Sequence, residues 1–234
     1  MNDRELHAHL IGQQGGRKAF NTPVLVIDLD MLERNIAAMA AFAKERGIAL
    51  RPHAKTHKSA DIAQKQIAAG AVGVCCAKLG EAEAMADGGV GGILITSPVV
   101  SPPAIKRLTR LNALIPDLRV TVDNPANVAA LAEAAQGAGK PLQVLIDIDP
   151  GIRRTGVPSP EAAVKVGRSI AGSPSLVYLG VQYYCGREQH VESYADRRSA
   201  IEDRTTYLGE VIAALADIGM APTVITGGGT GIGV

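Results

Sequence analysis

The stretch RPHAKTHKS, residues 51–59, packs two imidazoles, two primary amines, a guanidinium and two hydroxyls directly behind the apolar run IAL at 48–50. A lysine in such a setting becomes a nucleophile when desolvation and neighbouring cations depress its pKa. If a strand beginning at Ile48 runs on to Lys55, period-2 alternation puts Arg51, His53 and Lys55 on one face. Lys55 then points into an opening near Arg51 or Arg154, and a lowered pKa is expected. The competing reading makes Lys55 and Lys58 solvated loop charges. A metal reading of His53 and His57 is weaker: the glutamate of H-E-x-x-H is missing, and the pair sits at a strand end, not on a helix.

A second cluster, ITGGGTGIG at 225–233, also follows an apolar run. Glycine allows positive φ and close backbone approach, so several amide N–H groups can converge on one anion. Thr226 and Thr230 add hydroxyl donors. Counted from Gly227, the sixth position of G-x-G-x-x-G is Ile232, so the dinucleotide fingerprint fails, and no G-K-[ST] ending makes a P-loop. The pattern suits a single phosphate; the alternative is a loop with no ligand. A reactive lysine on one strand and a phosphate cradle on another together suggest pyridoxal phosphate, with the lysine as Schiff-base partner and the glycine turn on the phosphate.

The elements that must position these clusters follow from periodicity. β-branched apolar runs recur at 24–29, 48–51, 72–77, 92–96, 119–123, 142–149, 177–184 and 222–226, separated by Ala-rich segments of helical spacing. Asp30 and Glu33 form a capping-box-like pair before LERNIAAMAAFAKER. Ser101-Pro102, Asn124-Pro125 and Ser159-Pro160 each set a capping side chain before a proline suited to the first helical position. Regular alternation of near-continuous apolar strands with helices implies a parallel α/β protein, and eight candidate strands favour a (β/α)8 barrel of the triosephosphate-isomerase type. Residues 1–20 read as a loose polar arm and 21–234 as one barrel domain. In this register Lys55, Lys78, Ser97, Asp123, residues 149–154, Tyr184 and residues 227–231 all fall at the carboxyl ends of strands, where barrels bind ligands.

Composition narrows the partners. Lys plus Arg (24) nearly balances Asp plus Glu (23), aromatics are 3% and Trp is absent. That balance offers no electrostatic footprint for nucleic acid or an anionic membrane, and no base-stacking platform. Cys75, Cys76 and Cys185 form no even-numbered disulfide framework, which points to a reducing cytoplasm. The N-terminal residues do not read as a secretory signal, and no apolar run is long enough to span a bilayer.

The segments TPVLVIDLD, RPHAKTHKS, VGVCCAKLGEAEA, TVDNPANV, IDIDPGIRRTGV, VQYYCGREQH and ITGGGTG occur in that order. Together they resemble the fold-type III pyridoxal-phosphate enzymes of the D-threonine aldolase, 3-hydroxy-D-aspartate aldolase and D-serine dehydratase group, distant relatives of alanine racemase. The resemblance implies Lys55, not Lys58, as the Schiff-base lysine. It implies Arg154 beside the cofactor ring, Tyr184 lining the ring pocket, and Thr226, Gly228, Gly229 and Thr230 as the phosphate cradle. His190 matches the histidine placed to take the proton from the substrate's β-hydroxyl. Ala77 stands where the aldolases often carry Gln, implying one polar contact fewer to the cofactor. Family members continue into a last barrel strand and a β-rich second domain that binds a divalent metal such as Mn, Mg or Zn. No metal ligands are therefore expected within this chain, which reads as part of a longer enzyme whose barrel here is incomplete. The implied activity is cleavage of a D-3-hydroxy amino acid to glycine and an aldehyde by a homodimer. Dehydration to a keto acid and ammonia is the second reading, and non-catalytic carriage of the cofactor the third.

Overall fold

The computed structural model describes residues 3–229 and 231. Six of the apolar runs form strands: β1 (Val74–Cys76), β2 (Ile93–Ile95), β3 (Leu118–Val122), β4 (Leu142–Ile148), β5 (Leu176–Tyr183) and β6 (Val224–Gly227). They pair in parallel, in sequence order, as one sheet. The helices are α1 (Asp3–His7), α2 (Leu29–Glu45), α3 (Ala60–Ala68), α4 (Leu79–Asp87), α5 (Pro102–Leu114), α6 (Pro125–Ala138), α7 (Pro160–Ala171) and α8 (Tyr194–Asp217). From α4 onward each helix carries the chain from one strand to the next, the crossover that parallel pairing demands.

Alternation along the strands divides the apolar residues into two layers. Val74, Ile93, Ile95, Val120, Val144 and Ile146 join the main core with the helices, and Cys75, Leu94 and Leu145 make a small inner cluster on the other face. The Gln182 amide on β5 donates to the Thr96 carbonyl at the end of β2 (3.2 Å), although β3 and β4 lie between these strands in the sheet. The sheet is therefore curled into part of a barrel around a lumen. Both faces of β1 to β4 are largely buried, as their near-continuous apolar runs require, whereas the edge strand β6 leaves Ile225 57% exposed.

Two expected strands do not form. Residues 24–28 pair with no strand among the described residues, and Leu25 is 99% exposed. Residues 48–53 do run along β1: Val72 N donates to Leu50 O (2.9 Å), Cys75 N donates to Pro52 O (2.7 Å), and His53 bridges Cys75. Pro52 has no N–H to contribute, so the ladder does not develop into a strand. Among the described residues the barrel thus has six strands rather than eight. The expected loose arm holds α1 and two short 3-10 turns, with Leu10 buried.

Helix starts follow the capping chemistry closely. Of the three expected caps, Asn124 and Ser159 accept from the first-turn amides of Ala126 and Ala162, whereas Ser101 stands at the cap of α5 without a side-chain cap bond. Ser59, not singled out by a following proline, caps α3 through Ile62 N, and proline opens α5, α6 and α7. The cap of α2 is Asp28, which accepts from Met31 N (3.0 Å), rather than Asp30. Glu33 turns instead to Lys65 on α3 (2.6 Å). Between β4 and β5 the register shifts after Val144, leaving Leu179 as an extra residue. Gly180 follows with φ +150°, and a Cβ there would strike the Val224 carbonyl. Only glycine lets β6 come this close.

Candidate active site

Lys55 does not extend a strand. It lies in a 3-10 turn, Ala54–Thr56, capped by His53, whose Nδ1 accepts from Lys55 N (3.4 Å). The His53 Nε2 lies 3.3 Å from Thr96 Oγ1. Burial, then the Lys55 charge, pushes the His53 pKa down to about 4, so its ring is neutral near pH 7. With Nδ1 accepting, the single ring proton belongs on Nε2 and is donated to Thr96. Arg51 departs from the expected shared face: its guanidinium bonds the Gly92 carbonyl before β2, at the far end of the lumen from Lys55. His57 accepts from Ser59 N (3.1 Å). Both imidazoles of the opening stretch therefore serve the local fold, against the metal reading.

Tyr184, just past β5, is where the predicted residues converge. Lys55 Nζ lies 5.7 Å from its ring centroid and Arg154 Cζ 5.6 Å. Both cations are exposed and only the Tyr184 residue is half-buried, so Lys55 is not desolvated as its sequence setting suggested. The two cations lie against one aromatic ring in an open site at the carboxyl ends of the strands. Arg154 rides on the loop after β4, which is tightly determined. Asp149 accepts from Gly151 N (2.9 Å) and Arg153 N (3.0 Å), Asp123 accepts from Gly156 N (2.9 Å), and Val157 bridges back to Ile148. Arg153 has φ +58° and Gly156 φ +102°, and a Cβ on Gly156 would meet the Asp149 backbone.

The glycine turn enters from the neighbouring strand. Thr226 is the ladder partner of Gln182, and Gly227 of Tyr183. Gly228 has φ +91° with open space around it, whereas a Cβ on Gly229 would run into the Gln189 side chain. Gln189 Nε2 donates to the Tyr184 hydroxyl (3.0 Å), and Gln189 Oε1 accepts from Gly231 N (3.3 Å). The ring that faces Lys55 is thereby tied to the turn. Thr230 lies outside the described residues. His190 ends the 3-10 turn Glu188–His190; its imidazole is exposed and makes no hydrogen bond or ion pair among the described residues. The structure thus gathers Lys55, Arg154, Tyr184 and the glycine turn, and leaves His190 at the rim.

Periodicity and motif did not single out three of the residues that build this opening. Asp147 is 4% exposed on β4 and accepts from Thr155 Oγ1 and Gln182 Nε2, each at 2.8 Å. Burial raises its pKa to about 6, against the lowering effect of those two hydrogen bonds. An acid two residues before Asp149 inside an apolar run, and an amide inside the run at 177–184, were the available signals for Asp147 and Gln182. Gln189 had none. The buried thiols are not alternative nucleophiles: desolvation pushes Cys75 and Cys185 up to about 11 and Cys76 to about 12, which leaves them protonated. Among the described residues no group of three or more His, Cys, Asp or Glu could hold a metal ion, and no helix is long and apolar enough to cross a membrane.

Fold and opening together define a parallel α/β barrel with a lysine, an arginine and a glycine turn around one tyrosine. The chain belongs to the alanine racemase N-terminal domain family, whose model matches residues 27–231. It is 42% identical over 211 residues to the 3-hydroxy-D-aspartate aldolase of Paracoccus denitrificans, a match covering 90% of this chain and 54% of that protein. It is similar to the crystal structure of D-threonine aldolase from Filomicrobium marinum, with TM-score 0.88 and 39% identity over 91% of this chain and 58% of that one. The D-threo-3-hydroxyaspartate dehydratase of a Delftia species is 32% identical over 187 residues, covering 77% and 49%. The chain spans about half the length of the curated relatives it matches.

Proposed function

We propose that the protein carrying this chain is a pyridoxal-phosphate-dependent lyase that cleaves a D-3-hydroxy amino acid, D-threonine-like, into glycine and an aldehyde. The observation that carries the reading is the convergence of the Lys55 ammonium and the Arg154 guanidinium on the Tyr184 ring. The residues fit the cofactor. Lys55 offers the amine for its aldehyde carbon, Arg154 and Tyr184 flank the ring, and the turn of Thr226, Gly228, Gly229 and Thr230 offers donors to its phosphate. The fit rests on the open, positive-φ Gly228 and on Gly229, where Gln189 leaves no room for a Cβ. When bound, pyridoxal phosphate supplies an electron sink for the pair released at the substrate's Cα.

The chain's own residues have separate tasks. Arg154 holds positive charge beside the ring site. His190, exposed at the rim, accepts the proton of the substrate's β-hydroxyl as the Cα–Cβ bond breaks and the β-carbon leaves as an aldehyde. A proton then returns to Cα, giving glycine. The metal ligands that the family resemblance implies must come from outside the described residues. Homodimer assembly belongs to the same reading.

Dehydration is the second reading, supported by the Delftia relative; the aldolase reading is favoured by the higher identity to the Paracoccus aldolase. Incubating the intact protein with pyridoxal phosphate, a divalent metal and a panel of D-3-hydroxy amino acids, with chromatographic identification of products, decides between them. Glycine and an aldehyde in equal amounts are expected. A keto acid with ammonia overturns the aldolase reading in favour of the dehydratase, and no product from cofactor-loaded protein favours a carrier.

A further inference from the structure

The lumen holds a polar chain that the reaction above does not use. Asp147 and Gln182 face each other on neighbouring strands β4 and β5, and both are almost wholly buried. Asp147 Oδ2 accepts from Thr155 Oγ1, and Thr155 adjoins Arg154. Asp147 Oδ1 accepts from Gln182 Nε2, which also donates across the lumen to Thr96 O. Thr96 Oγ1 in turn meets His53, the cap of the Lys55 turn. The path therefore runs from the backbone of the lysine to that of the arginine through hydrogen bonds of 2.8–3.4 Å. Burying a carboxylate and an amide is costly unless the groups are held to each other. An apolar pair of similar size would suit the adjacent Leu94–Leu145 cluster. The polar pair therefore calls for another reason, and geometry supplies one: these two side chains are the link between the two cations at Tyr184.

We propose that Asp147 and Gln182 are a positioning pair that fixes the Arg154 loop in register with the Lys55 turn, so that both cations meet the same cofactor. The proposal rests on the pyridoxal-phosphate reading above and adds to it residues that touch neither cofactor nor substrate. Charge alone would not need Thr155. The loop's other anchors, Asp149 and Asp123, hold its backbone on either side of Arg154 but make no tie across the lumen among the described residues.

The test is a double-mutant cycle on cofactor affinity in the intact protein, read by absorbance titration with pyridoxal phosphate, with melting temperatures taken on cofactor-free protein. Asp147→Ala should weaken affinity by roughly tenfold, the scale on which outer supports of metal ligands act, here exerted on Arg154 through its neighbour Thr155. Asp147→Asn should restore most of it, since the Asn oxygen can accept from Gln182 and the Thr155 hydroxyl can turn to accept from its amide. In an Arg154→Ala background, Asp147→Ala should change affinity by less than about twofold. A purely structural role predicts equal losses in both backgrounds, and that result overturns the proposal. So does unchanged affinity in Asp147→Ala. If Asp147→Ala does not fold, Thr155→Val cuts the same tie while leaving Asp147 and Gln182 in place. A loss of affinity in Thr155→Val, rescued by Thr155→Ser and absent in the Arg154→Ala background, supports the positioning role; no loss overturns it. Wild-type protein that takes up no pyridoxal phosphate overturns the cofactor reading itself, and the positioning role with it.

Discussion

Replacing Lys55 with Ala should remove the visible absorbance that marks lysine-bound pyridoxal phosphate and lower turnover by roughly four orders of magnitude or more, the scale on which losing a covalent catalytic group acts. The size of the effect follows from position. Lys55 is the amine facing Tyr184, whereas Lys58, three residues on, has φ +50° and lies 3.7 Å from Glu81, away from the ring. Lys58→Ala should therefore keep both the absorbance and most of the turnover. Because Lys55 sits on a short turn and its side chain is not part of the core, Lys55→Ala should melt within a few degrees of wild type, a shift of under about 1 kcal/mol. Absorbance spectra and steady-state rates on the two variants check this. A Lys55→Ala protein that keeps its absorbance and rate removes the basis for the assignment.

His190→Ala carries the second large effect and bears on what kind of protein this is. Loss of a general base costs on the order of 10²-fold or more in turnover. Cofactor affinity should hardly change, because the exposed imidazole has no bond to Tyr184, Arg154 or the glycine turn among the described residues. The backbone that carries it is well anchored. Gln189, one residue earlier, bonds the Tyr184 hydroxyl, and the buried Glu188 pairs with Arg204 (3.5 Å), which also donates to Pro150 O (2.9 Å). The variant thus removes the proposed proton acceptor without loosening the site. Rates measured with the best substrate of the panel, beside a cofactor titration, separate the readings. A non-catalytic carrier is indifferent to this change, and a loss of affinity in place of rate contradicts the assigned role.

Much of this was legible from residue types because local chemistry fixes it. Asn124 and Ser159 cap their helices as their types predict, while Ser101 holds its position before Pro102 without a side-chain cap bond, and apolar runs bounded by such starts become parallel strands. The convergence at Tyr184 was legible only through the barrel itself: if strands end on one side, Lys55, Arg154 and the turn after Thr226 share an opening. Alternation failed at Lys55, since Pro52 interrupts the ladder and a 3-10 turn, not a strand, aims the side chain. It failed again at residues 24–29, whose β-branched run finds no partner among the described residues; propensity cannot create a neighbouring strand. Asp147, Gln182 and Gln189 went unread because a single polar residue within an apolar strand, or in a loop, does not announce what it bonds across the lumen.

The most direct measurement is borohydride reduction of the cofactor-loaded intact protein, followed by proteolysis and mass spectrometry of the peptides. A phosphopyridoxyl group on the peptide containing Lys55, lost in Lys55→Ala and weakened by Gly228→Val, is the predicted result. The same group on Lys58, on Lys78 or on no lysine at all would contradict it.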